Sequence, residues 1–133
     1  MIKNKTLKSI ASHELYTLIF YHFCHKLKEQ PQIFEYKFYE CLRYLYLLSK
    51  YYQQLKNTFM PLKQEVDDIW HFLIIQTREY DKFCKKLPGK IFLHHQSTLY
   101  KNYKKKFSSR EQSIREMLLW IPLYKENFGD FNE

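Results

Sequence analysis

The chain has 133 residues, a formal net charge of +8, 12 Tyr and 11 Phe, but only 2 Gly and 4 Pro. That length suits one domain with one core and leaves no room for a second. The scarcity of glycine all but excludes phosphate-cradling loops, and no P-loop, dinucleotide fingerprint, Gly-x-Ser-x-Gly or His-Glu-x-x-His motif occurs.

Leu15, Leu18, Ile19 and Leu27 recur at helical spacing behind Ser12, which suits an N-cap, so a first helix is predicted over 12–30, stopped by Pro31. The charges of His13 and Glu14 interrupt the apolar run after Lys3, Lys5 and Lys8, so no signal peptide is expected. His22, Cys24 and His25 match no zinc spacing, and Tyr21, His22 and Phe23 read as aromatic filler at a helix interface.

A second helix is predicted from about Ile33 to Leu55, on the stripe Phe34, Phe38, Cys41, Leu42, Leu45, Leu48, Tyr52 and Leu55. After the connector 57–61, a third is predicted over about 62–86. Val66, Ile69, Trp70, Leu73, Thr77, Tyr80, Cys84 and Leu87 line one side of it, and Pro88-Gly89 ends it. Residues 90–99 lack helical periodicity and read as irregular or extended. A capping box, Ser108 with Glu111 or Ser109 with Gln112, then opens a last helix with Ile114, Met117, Leu118, Ile121 and Tyr124 as its buried positions. Pro122 should kink it or end it early, and Gly129 terminates it. These elements predict an all-α fold, one compact bundle of four to five helices over 1–133, with the third helix central and the segment after Gly89 wrapped against it. No stretch is long and apolar enough for a transmembrane helix, and membrane insertion is not expected.

The candidate chemistry is concentrated between Val66 and His95. Asp67 and His71 are four apart, one turn on the same helical face, where they can share a metal or form a carboxylate-oriented imidazole. His94 and His95 follow Gly89 in a segment free to fold back. Adjacent residues of an extended segment point to opposite sides, so one of the two would face inward. Asp67, His71 and one of these histidines would leave an open position on zinc or another transition metal, as hydrolytic metal sites require. The alternative is a hydrogen-bonded role that docks the segment. Cys84 is a doubtful fourth ligand. On an unbroken helix it lies about 19–20 Å from His71 and about 140° around the axis, so either the helix breaks near residues 76–78 or Cys84 is a buried apolar residue.

Cys24, Cys41 and Cys84 are odd in number and widely spaced, which predicts reduced thiols in the cytoplasm. The basic, aromatic segment with Lys101, Lys104, Lys105, Lys106 and Arg110 is a candidate phosphate-tracking strand for nucleic acid, or an ordinary exposed loop of a lysine-rich protein.

The run Val66-Asp67-Asp68-Ile69-Trp70-His71, then Thr77-Arg78-Glu79-Tyr80, Phe83-Cys84, Gly89 and His94-His95, resembles the signature of the glycine-rich-domain-containing-protein-like family in its stand-alone bacterial form. The resemblance extends over roughly 33–130 and implies that His71, Cys84, His94 and His95 act as one unit. The functional expectation is a small helical binding or interaction domain with a protein partner or a second copy. The alternatives are a metal-binding, hydrolytic domain and nucleic-acid binding.

Overall fold

The computed structural model describes residues 1–58, 60, 62–95 and 110–130. The described residues form seven α-helices and one π-helical segment with no strand, an all-α fold. Helix α1 spans Asn4–Ala11 and ends at Ser12, whose backbone takes the left-handed φ of 66°. Ser12 Oγ then accepts the Leu15 N–H at 3.3 Å and starts α2, His13–Phe20. Wider turns continue α2 as a π-helix over Tyr21–Lys26. The predicted first helix therefore ends at Lys26, and Pro31 starts the next helix instead of stopping this one. Its fixed φ and missing N–H suit the first helical position.

Helix α3, Pro31–Lys50, is the centre of the molecule, and the predicted third helix is not. It packs against α1, the π-segment, a short α4 (Tyr52–Leu55), α5 (Gln64–Ile75) and the last helix, α7 (Arg110–Phe128). Phe34, Phe38, Cys41 and Leu45 are wholly buried on the expected stripe. Tyr44 and Leu47 on the opposite side are buried too. So are Glu40 and Arg43, which a helix surrounded on most sides can bury only as a hydrogen-bonded pair. Arg43 lies 3.5 Å from Glu40, donates to Asn4 Oδ1 at 2.6 Å, and shares Glu40 with the Tyr124 hydroxyl, which donates to it at 2.6 Å. This network joins α1, α3 and α7.

The predicted third helix is two helices. Gln76, at φ −80° and ψ 61°, breaks the ladder between α5 and α6 (Thr77–Lys86). Its N–H reaches back only three residues to the Leu73 carbonyl, while its own carbonyl accepts the first N–H of the new helix, from Tyr80, at 2.8 Å. The chain leaves α6 through Pro88-Gly89, turns at Lys90, whose φ is 53°, and returns as a strap without regular secondary structure, Lys90–His95. The turn is anchored on α3, where Gly89 N–H donates to Ser49 Oγ at 2.8 Å. Gly89 is required there: a Cβ would lie 2.4 Å from the Ser49 carbonyl oxygen.

Helix α7 contains Pro122 without ending early, and closes at Gly129 with φ 86°. Its buried face differs from the expected one. Glu116, Trp120, Tyr124 and Asn127 face the core, whereas Ile114, Met117 and Leu118 are about half exposed. Only Tyr124 of the predicted set is fully buried. The core face of α7 is read through two polar residues, which hides it from a hydrophobic-periodicity argument.

Candidate metal-binding site

Helix α5 presents Asp67 and His71 on consecutive turns of one face. The Asp67 carboxylate is partly buried, near the helix start where the macrodipole favours a negative charge. His71 Nε2 lies 3.1 Å from Asp67 Oδ2. His95 comes in from the strap with Nε2 2.7 Å from Asp67 Oδ1, and its ring is 4.0 Å from that of His71. One carboxylate thus holds two imidazoles, one on each oxygen.

Burial opposes the charged form of the Asp67 carboxyl. The His95 hydrogen bond and charge, reinforced by His71, outweigh it and hold the group below the ordinary carboxylate range. The three side chains each offer a donor atom, and these atoms lie within 4.8 Å of one another. A tetrahedral ion with bonds of about 2.0–2.2 Å separates its ligand atoms by roughly 3.3–3.5 Å, so shifts on the order of an ångström would bring all three into range. The His95 side chain is only 9% exposed, and its Nδ1 is buried with no hydrogen-bond partner among the described residues. That nitrogen is not the one facing Asp67, and leaving it unsatisfied in a buried place is costly.

The strap is positioned from below. Trp70 Nε1 donates to the Tyr80 hydroxyl at 3.0 Å, and that hydroxyl donates to the Leu93 carbonyl at 2.6 Å. The His95 ring then packs edge-on against Trp70, with centroids 4.3 Å apart. Leu93 is buried, and two residues further along the strap His95 turns to the same side while His94 is exposed. His71 and His95 line an open cleft of about 330 Å³ together with Ile74, Ile75, Phe92, Leu93 and His94.

Among the sequence candidates, the structure brings together Asp67, His71 and His95 and leaves out two. His94 lines the cleft and contributes no atom to the converging set. Cys84 is fully buried, because the break at Gln76 turns α6 into the core and not toward His71. Burial pushes its thiol up from the ordinary range, and it hydrogen-bonds with the Leu93 backbone and Tyr80. His22 and His25 stack on Phe72 and Tyr21. Lys101, Lys104, Lys105 and Lys106 lie outside the described residues, and Arg110 is the first residue of α7. Ser49 and the Leu93 carbonyl, which set the path of the strap, escaped the sequence analysis: one acts from forty residues away and the other is backbone.

No curated protein and no solved structure matches the chain. A family model described as UCP032817-like matches residues 7–128. This overturns the resemblance to the glycine-rich-domain-containing-protein-like family, to which nothing in the comparisons points. The residues that carried it include Trp70, Tyr80, Phe83 and Cys84, all buried, and a shared pattern of packing residues is weaker evidence of kinship than a match along the whole chain. The match also takes in α1 and α2, which the resemblance left out. With 7–128 aligned from the first helix to the end of the last, the chain belongs to the UCP032817-like family.

Proposed function

We propose that this domain binds a divalent transition metal, zinc foremost, through Asp67, His71 and His95. The observation that carries the reading is the convergence of one carboxylate oxygen and two imidazole nitrogens, from Asp67, His71 and His95, beside an open cleft that both histidines line. Nitrogen and oxygen donors of this mix suit zinc, and three protein ligands leave a position open toward the cleft. A water in that position would be acidified by the ion and could serve as nucleophile in a hydrolytic reaction. The three cysteines are free, which fits a reducing compartment such as the cytoplasm.

Elemental analysis after equilibration with zinc and removal of loose metal tests the proposal. Stoichiometric zinc is expected, with affinity lowered by more than about tenfold in His71→Ala and in His95→Ala, and unaffected in His94→Ala. Absence of bound metal, or equal retention by the His95→Ala protein, would sink it. The second reading is a non-catalytic interaction domain, in which the Asp67 pair only docks the strap. What favours it is the outward apolar face of α7.

A further inference from the structure

Helix α7 is apolar on two opposed faces. Glu116, Trp120, Tyr124 and Asn127 turn to the core, and at about 100° per residue Ile114 and Leu118 lie on the far side, with the half-buried Ile121 at its edge. Ile114 is 46% and Leu118 59% exposed, with Met117 beside them at 48%. Single exposed apolar residues are ordinary, but a row at positions three and four apart is the pattern of a helix that packs against another helix. Continuing the same row by seven residues in each direction from Leu118 gives Glu111 at one end and Lys125 at the other, both exposed. Neither has an ion-pair partner among the described residues.

We propose that this row is a self-complementary seam through which two copies of the chain associate, α7 against α7 in antiparallel orientation about a two-fold axis at Leu118. The charges choose this occupant and this orientation. Glu111 and Lys125 are equally far from Leu118, so an antiparallel pair sets Glu111 of each copy opposite Lys125 of the other. A parallel pair sets like charges together. Leu118 meets its counterpart at the axis, and Ile114 falls opposite the Ile121-Pro122 step of the second copy. The contact is isologous, as two-fold dimers are. From Glu111 to Lys125 the seam is about 21 Å long. A single helix pair of that length buries less than the roughly 1,200 Å² of a standard interface, so the dimer dissociates on dilution.

Sedimentation velocity of the full chain over a concentration series tests this, with circular dichroism to verify folding. The wild type is expected to move from monomer to dimer as concentration rises. Leu118→Lys stays monomeric with an unchanged melting curve, since Leu118 contributes little to the core. Glu111→Lys and Lys125→Glu each weaken association by about tenfold, because each acts twice across the axis, and the double exchange restores it. A wild type that is monomeric throughout means that something other than a second copy covers the row, and overturns the proposal. So does dimerisation undiminished in Leu118→Lys, or a double exchange no better than either single one.

Discussion

Trp70 and Tyr80 are joined side chain to side chain at 3.0 Å although they are ten residues apart on what looks like a single helical stripe. On an unbroken helix that separation is about 15 Å along the axis. The corner at Gln76 makes the contact, and the Tyr80 hydroxyl passes it on to the backbone of the strap. Tyr80→Phe should therefore unpair both the Trp70 N–H and the Leu93 carbonyl, at a cost of roughly 1–3 kcal/mol. A urea titration of the two proteins measures that difference, and zinc affinity should fall with it although no ligand is altered.

Gly89→Ala is expected to destabilise the fold by about 1–3 kcal/mol, because its Cβ meets the Ser49 carbonyl at 2.4 Å and neither backbone can yield without moving the strap. Adding Ser49→Ala removes the hydroxyl but leaves the carbonyl in place. The double variant should consequently recover nothing in thermal denaturation.

The Glu40–Arg43 pair is buried among α1, α3 and α7. Arg43→Met strands the Glu40 carboxylate and should cost about 3–5 kcal/mol. Replacing both with Met removes the stranded charge, so chemical denaturation should find the double variant more stable than Arg43→Met alone.

Alkali should unfold the protein through its tyrosines. Burial raises the hydroxyls of Tyr44, Tyr80 and Tyr124 above their ordinary value of 10.0, with Glu40 adding to the shift at Tyr44 and Tyr124. A group whose pKa is higher folded than unfolded stabilises the fold fully below its unfolded value, and that contribution is lost as pH rises toward the folded one. The buried Cys41 and Cys84 thiols, also raised above their ordinary value of 9.0, act in the same sense, so stability should start to fall above about pH 8.5 and fall more steeply above about 10. Ultraviolet titration should show the hydroxyls of Tyr44, Tyr80 and Tyr124 ionising only as helicity disappears.

Much of the fold was legible where a residue's neighbours in sequence are also its neighbours in space. The α3 stripe from Phe34 to Leu48, the apolar side of α5 and the Gly129 stop all follow from local periodicity and backbone preference. Helix α1 was missed because only Leu7 and Ala11 of its eight residues are fully buried. The Gln76 break carries no proline or glycine to announce it. Helix α7 misled because its outward row is more apolar in sequence than its core face. The candidate site divides in the same way: Asp67 and His71 are one turn apart and could be read together, but choosing His95 over His94 depends on the Leu93 anchor, which is tertiary.

The strap has a thermodynamic meaning for any ion bound at its end. Two of the three donors, Asp67 and His71, belong to one helix and are present whether or not the strap is docked, while His95 arrives from 28 residues away. Affinity is then the intrinsic affinity of the closed site reduced by the fraction of molecules in which the strap is closed. By the same linkage the ion favours the closed state, and so adds to the stability of the corner, the Gly89 turn and the Leu93 anchor together. Distant packing around Ser49 and an ion at Asp67 would act on one shared equilibrium, each tightening the other without touching it.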